Sequence, residues 1–284
     1  MFLALGRYGS LSAAARALSV NHATIARRVH SLEASLGKKL VERRPEGYVL
    51  TQAGKQTLAA AGDMEAVAQT LGRGGEDEDT PKGIVRVNAP PAISQGFLIE
   101  RLAIIPARHP GLDIELASEL RIVSLERHET DIAIRLGRPQ DSDLIGRPLV
   151  TMSYGFYAAA SVCQALEFGA EPVFVGFDEA NTHIPEAVWL AQHFPQARVS
   201  FRANNQLAQA SAAKMEAGVA LLPHYIGRAD SSLHLCRLEP VPPPRQVWLL
   251  TRRQSRKDLA IRTVVEQIIQ IFSKERALFE VSTV

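Results

Sequence analysis

Apolar residues near the amino end recur at helical spacing in three short runs separated by abrupt breaks. Phe2, Leu3 and Leu5 open a first helix, although the chain starts abruptly and is expected to lack a turn before it. Ala14, Ala15 and Leu18 mark a second helix, with Ser12 as its expected N-cap; Ser19-Val20-Asn21 then breaks the pattern and places Asn21 to cap a third. In that third helix Ile25, Val29 and Leu32 recur at i, i+4 and i+7 and must face the protein. The opposite face then carries Ala23, Arg27 and His30, with Thr24 and Ala26 beside them. Two helices and a tight turn make a helix-turn-helix; the alternative is an ordinary alanine-rich helical pair with solvated arginines.

Gly37 ends the third helix. The segments 40–43 and 48–50 predict two short strands around the turn Arg44-Pro45-Glu46-Gly47, which together make a wing. Thr51 is placed to cap a long helix reaching about residue 71. Leu58, Ala61 and Ala68 form one candidate seam on it, and Ala60, Met64, Val67 and Leu71 another, where a second copy of the helix is expected to pack. Gly72 to Gly75 and the acidic run Glu76-Asp77-Glu78-Asp79 read as a flexible linker ending at Pro81.

Beyond Lys82 the pattern alternates strands with helices, which predicts an α/β domain with a mostly parallel sheet. Strands are expected at 84–87, 113–116 and 131–136, with a helix at 94–108. A second set comprises strands at 154–158, 173–177, 198–203 and 219–222 with helices at 185–193 and 206–217; a strand at 246–251 and an amphipathic helix at 258–273 complete it.

The charge separates these regions. Residues 1–73 carry ten Lys/Arg against five Asp/Glu, a net +5, whereas the remainder carries 22 against 25, a net −3, so only the front of the chain is suited to phosphates. Arg27 on a face of small side chains has the reach to fork onto a guanine in a major groove; Arg28, at the edge of the buried stripe, suits a phosphate. The expected DNA-contacting set is Ser12, Asn21, His22, Ala23, Thr24, Ala26, Arg27, Arg28 and His30, with Arg43 and Arg44 on the wing. For those two the alternative is a pair of solvated turn arginines.

A content of 46% hydrophobic and 22% charged residues is that of a globular protein, and no apolar run is long enough to span a membrane. Cys163 and Cys236 are expected to be isolated, with Cys236 a core residue on a strand. With neither a disulfide scaffold nor a signal peptide, the expected location is cytoplasmic. Dinucleotide, phosphate-loop, zinc-protease and nucleophile-elbow motifs are all absent, so no enzymatic activity, cofactor or metal is expected. His224 with His234-x-Cys236 is too incomplete a set to announce a metal site.

Gly9-Ser10-Leu11-Ser12-Ala13-Ala14-Ala15-Arg16-Ala17-Leu18, Arg27-Arg28-Val29-His30-Ser31-Leu32-Glu33, Leu36-Gly37-Lys38-Lys39-Leu40-Val41-Glu42-Arg43 and Leu50-Thr51-Gln52-Ala53-Gly54 resemble the N-terminal domain of LysR-type transcriptional regulators. The resemblance continues through Ala89-Pro90, Asp131-Ile132-Ala133-Ile134-Arg135-Leu136-Gly137 and Gly218-Val219-Ala220-Leu221-Leu222-Pro223, and so covers nearly the whole chain. It implies a winged helix-turn-helix over 1–50, a dimerisation helix over 51–74, a linker over 75–81 and an effector-binding domain over 82–284. That domain would be similar to a two-lobed periplasmic binding protein of type 2, with lobe 1 at about 82–152 and 253–284 and lobe 2 at about 153–252. The crossings would lie near 150–153 and 252–255, and the last helix would return to lobe 1.

In open parallel sheets a ligand sits beyond the carboxyl ends of the strands. That rule nominates Asn88, Pro90, Ile93, Ser94 and Gln95, then Arg135 and Gly137, and from the second half Asp178, Asn204, Asn205 and Gln206. The resemblance also assigns Ser94 and 204–206 to effector positions and Arg135 to the cleft floor. For Arg135 the alternative is an ion pair with Glu129 or Asp131, and for Ser94 a helix cap. The partners implied are double-stranded operator DNA, a small-molecule effector, a homodimer or homotetramer, and RNA polymerase, with no membrane. The alternatives are a ligand-independent DNA binder whose C-terminal domain serves assembly, or a small-molecule-binding protein with a vestigial DNA module.

Overall fold

In the computed structural model the described residues are 1–44, 47–71, 80–119, 130–138, 144–253, 255 and 258–280, without the side chains of Arg7, Arg43, Arg44, Ala59, Asp63 and 65–71. They form two units, Met1–Thr80 and, separately, Pro81–Ile122 with Ile132–Val284. The expected linker at 72–79 lies outside the described residues.

The first unit holds α1 (Phe2–Tyr8), α2 (Leu11–Ala17), α3 (His22–Leu36), antiparallel β1 (Val41–Arg44) and β2 (Gly47–Leu50), and α4 (Gln52–Leu71). Its core is Phe2, Leu5, Leu11, Ala15, Ile25, Val29, Leu40 and Leu58. Two sequence expectations need correction. The cap of α2 is Ser10, whose hydroxyl accepts from Ala13 N at 3.1 Å, so that Leu11 starts the helix and turns inward while Ser12 lies exposed in the first turn. Leu58 belongs to the unit's own core rather than to an outward seam of α4, whereas Ala60 and Met64 are exposed. Asn21 caps α3 as expected, accepting from Thr24 N at 2.8 Å, and Gly37 ends it in the left-handed region at φ 63°.

The sequence pattern did not reveal the role of Glu33. Only 7% exposed, its carboxylate accepts from Leu40 N at 2.7 Å and Val41 N at 3.2 Å, and Lys39 Nζ reaches it at 3.2 Å. Burial alone would raise its pKa, but these hydrogen bonds hold it below the ordinary value. One side chain thereby ties the strand pair to α3.

The second unit has two lobes. Lobe 1 carries β3 (Gly83–Ala89), β4 (Leu112–Ser118), β5 (Ile132–Leu136), β6 (Leu144–Met152) and β12 (Arg245–Arg252) in the order β4-β3-β5-β12-β6. Lobe 2 carries β7 (Tyr154–Ala158), β8 (Phe174–Phe177), β9 (Val199–Ala203), β10 (Val219–Pro223) and β11 (His234–Leu235) in the order β11-β7-β10-β8-β9. Each sheet has a parallel core of three strands with antiparallel additions, β12 and β6 in one and β7 and β11 in the other. Because β12 pairs with β5 and β6, the second crossing runs through 236–244, before β12, and not through 252–255; lobe 2 accordingly ends before Arg245. The first crossing lies at 152–154, where β6 gives way to β7.

The single helix expected over 94–108 starts earlier and is interrupted: α5 (Pro91–Ile93), a π-helical turn at Ser94–Leu98 and α6 (Ile99–Leu102) follow one another without a gap, and α7 (Ile105–Arg108) stands apart. Pro106 has no N–H to give to the carbonyl of Leu102, four residues back, which accounts for the break after Leu102. Lobe 2 holds α8 (Ala160–Glu167), α9 (Pro185–His193), α10 (Gln206–Lys214) and α11 (His224–Gly227), and α12 (Leu259–Lys274) returns to lobe 1, where Phe272 packs on Phe97 with ring centroids 4.8 Å apart. Cys163 and Cys236 are not isolated: α8 lies against the end of β11 and the two form a disulfide. Cys236 is buried as expected, but it follows β11 rather than lying on a strand.

Candidate nucleic-acid interface and ligand cleft

Helix α3 divides its faces as its sequence predicts. Ile25 and Val29 are buried, whereas His22, Ala23, Arg27, Arg28 and His30 are exposed. Thr24 is half-buried, its hydroxyl donating to Asn21 Oδ1 at 2.8 Å. Ala26 sits lower on the helix than expected, partly packed on the unit's core. His30 Nδ1 stands 4.0 Å from Glu33 Oε2, one turn further along the helix, while its ring stays exposed. With Ala23 as the small neighbour of Arg27, the outer face is a thin backbone ridge bearing one long cation, a shape that fits a major groove. Arg43 and Arg44 fall in β1 beside the turn, and their side chains lie outside the described residues.

Between the lobes of the second unit lies a cavity of 590 Å³. Its apolar wall includes Pro90, Ile93, Leu136, Met152, Phe177 and Ile184; its polar groups are Arg135, His183, Glu186, Asn205, Gln206 and Arg245. Pro90, Ile93, Arg135, Asn205 and Gln206 among the expected ligand residues thus come together here. Six others have different positions. Ser94 is fully buried and donates to Ser118 Oγ at 2.8 Å, Gln95 Nε2 donates to the same oxygen at 3.0 Å, and Asn88 is buried with its Nδ2 3.5 Å from Ala117 O. Gly137 donates its N–H to Gln246 O, Asp178 accepts from Asn181, and Asn204 accepts from Asn205. None of the six lines the cavity.

The Arg135 guanidinium donates to Ile134 O at 2.8 Å and Asn88 O at 3.3 Å, and burial lowers its pKa from the ordinary value. Glu129, one alternative partner for it, lies outside the described residues. Asn205 caps α10 by accepting from Ala208 N at 2.9 Å. Beside it Gln206 is 8% exposed, and its amide makes no hydrogen bond among the described residues.

A second polar group was missed in the sequence. Glu186, 5% exposed at the start of α9, accepts from Arg245 Nη1 at 2.8 Å and from the Tyr154 hydroxyl at 2.5 Å, both at Oε1. Arg245 belongs to lobe 1 and Glu186 to lobe 2, so this pair spans the cleft. Burial first, then the Glu186 charge, push the Tyr154 hydroxyl well above its ordinary pKa; burial would lower Arg245, but Glu186 holds it up. The carboxyl-end rule could have found Glu186 in the segment following β8. It could not find Arg245, which starts an antiparallel strand whose amino end lies where the parallel strands finish.

The chain matches two family descriptions, "Bacterial regulatory helix-turn-helix protein, lysR family" over residues 1–55 and "LysR substrate binding domain" over 78–273. Among curated relatives it is 28% identical to the Mau operon transcriptional activator of Paracoccus denitrificans, covering 96% of this chain and 95% of that protein. It is 25% identical to the HTH-type transcriptional activator AaeR of Escherichia coli, covering 99% and 94%. Among solved structures, ArgP from Mycobacterium tuberculosis superposes with a TM-score of 0.68 at 17% identity over 96% of this chain and 95% of that one, which speaks to fold alone. The full-length Vibrio cholerae virulence activator AphB gives 0.57 at 20% identity over 95% and 96%.

Proposed function

We propose, from the premise that this chain belongs to the LysR family of bacterial transcriptional regulators, that α3 reads operator DNA through Arg27 and that a small effector occupies the cleft between the lobes. The chain is a regulator with a helix-turn-helix DNA-binding domain and an effector-binding domain. Its finer division is a winged module over 1–50, a pairing helix over 51–74, a linker over 75–81 and the two lobes beyond. One module covers only a half-site, so a dimer or tetramer paired through the Ala60 and Met64 face of α4 is the form that binds a partly symmetric operator. Such a protein works in the cytoplasm beside RNA polymerase. No helix among the described residues is long and apolar enough to cross a membrane.

The observation that carries the reading is the split of α3, with Ile25 and Val29 buried and Ala23, Arg27 and His30 outward. In the cleft, Gln206, Asn205 and Arg135 offer polar contacts against an apolar wall, the mixture a small-molecule site needs. An effector shifts the regulator only by its difference in affinity between two arrangements of the lobes. Arg27→Ala should cost about 1–3 kcal/mol on the best site and relax base preference, whereas Arg28→Ala should weaken all sequences alike and flatten the salt dependence. Selection of genomic fragments by the wild type and both variants tests this; an unchanged site preference in Arg27→Ala would remove the assignment.

A further inference from the structure

The two cysteines take no part in either surface, yet the fold brings them together. Cys163 on α8 and Cys236 just after β11 are 73 positions apart, and their disulfide sets the Cα atoms 5.0 Å apart. Its place in the fold gives it leverage. β11 is a two-residue strand at the edge of its sheet, and Cys236 N donates to Phe156 O at 2.8 Å, the last backbone hydrogen bond to that sheet among the described residues before the chain runs back through 236–244 to lobe 1. The disulfide fastens this point of exit to α8, none of whose residues is fully buried. Nine positions further on stands Arg245, which holds Glu186 across the cleft.

We propose that Cys163 and Cys236 form a reversible dithiol–disulfide site, oxidised by hydroperoxides, whose state pins or frees the return crossing between the lobes. This rests on the regulator reading above, because a protein that acts on chromosomal DNA works among thiol pools that make structural disulfides rare and leave transient, sensing ones. Both states fit the surroundings. In the disulfide, Cys163 Sγ lies 3.4 Å and Cys236 Sγ 3.8 Å from the His234 carbonyl oxygen, so an acceptor stands beside both sulfurs when the bond opens.

Access orders the chemistry. Cys163 is half-buried and Cys236 is 5% exposed, so the Cys163 thiolate meets the oxidant. It attacks the terminal peroxide oxygen, the O–O bond breaks, and the leaving alkoxide takes up a proton to become an alcohol, or water when the oxidant is hydrogen peroxide. Cys163 is then a sulfenic acid. The Cys236 thiolate attacks that sulfur, the S–S bond forms, and hydroxide departs and is protonated to water. Two thiols lose two electrons and the peroxide gains them; a cellular dithiol reverses the process through a mixed disulfide.

The test uses the full chain. Protein reduced with dithiothreitol is treated with one equivalent of hydrogen peroxide, and thiols are counted by alkylation and mass spectrometry, then counted again across glutathione buffers from fully reducing to fully oxidising. Hydrogen exchange is followed over 234–244 in both states, with the Cys163→Ser, Cys236→Ser double variant as a form that cannot pair. Both thiols should disappear together, return with dithiothreitol, and leave exchange in the crossing about tenfold faster in the reduced protein and in the double variant. A bond that persists in the most reducing glutathione buffer, thiols that pass to sulfinic acid without pairing, or identical exchange in the two states would each overturn the proposal; if the double variant does not fold, the two states of the wild type still decide it. Operator binding, measured on the same samples, answers a different question: loss in every form sinks the regulator reading and leaves the thiol result standing.

Discussion

Glu33 joins three positions of the small module, accepting from Leu40 N, Val41 N and Lys39 Nζ. Glu33→Ala leaves the buried Leu40 N–H without its acceptor, and a stability loss of about 1–3 kcal/mol is expected in urea unfolding. The pH dependence has a definite sign. The folded-state pKa lies below the ordinary value, so the stabilisation is complete above that value and is lost as pH falls through the lowered one. Glu33→Gln keeps an oxygen for the strand N–H groups and should shed that part of the acid sensitivity; equal acid loss in the variant and the wild type would show that other carboxylates set it. Asn21 was legible because a cap and its break lie side by side in sequence. Glu33 was not, since its partners stand seven and eight positions away and nothing in the helical period distinguishes a carboxylate that folds back from one in water. Ser10 and Ser12 show the same limit, as two residues of one chemistry compete for a cap and burial of Leu11 decides between them.

At the scale of elements, the entry of α4 is fixed by a close approach. A methyl group on Gly54 would overlap the Leu40 carbonyl, a backbone atom that cannot swing away. Alanine gains about 1 kcal/mol in helix propensity over glycine, but overpacking against backbone costs about 1–3 kcal/mol or more. Gly54→Ala is therefore expected to lower the melting temperature of the first unit, as followed by circular dichroism, despite the better helix former. α12, sixteen residues long with Ile261, Val264, Ile268 and Phe272 on its buried face, was readable from pattern alone. β6 was missed, with Gly146 and Pro148 interrupting its alternation, and so was α8, whose lack of a fully buried face leaves no stripe to find. The second crossing was misplaced because β12 reads equally well as a last strand of either sheet; only its pairing with β5 and β6 assigns it. The cleft was half legible for the same reason, since the rule that finds Gln206 follows parallel strands and Arg245 begins an antiparallel one.

Over the whole molecule, the two units keep separate apolar cores, one around Ile25 and Leu58 and the other around Phe97, Phe156 and Phe174. Heat should unfold them in two steps, and a cleft ligand at a hundred times its dissociation constant should raise the second by about 2.7 kcal/mol while leaving the first in place. Calorimetry of the full chain with a panel of candidate ligands checks this, and a single transition moved as one would contradict it. The register of β6 against β12 carries a different consequence. Arg245 lies opposite Met152, so the second lobe occupies the place of a connecting loop between two neighbouring strands. Drawing those strands together while about 90 intervening residues are still a coil costs about 4 kcal/mol of closure entropy. Refolding should thus proceed from the inside outward: the inserted lobe condenses, its ends meet, and only then does the outer sheet zip. Pulse-labelled amides in β7 and β10 should gain protection before those of β12, and the reverse sequence of protection would mean that the outer sheet nucleates without waiting.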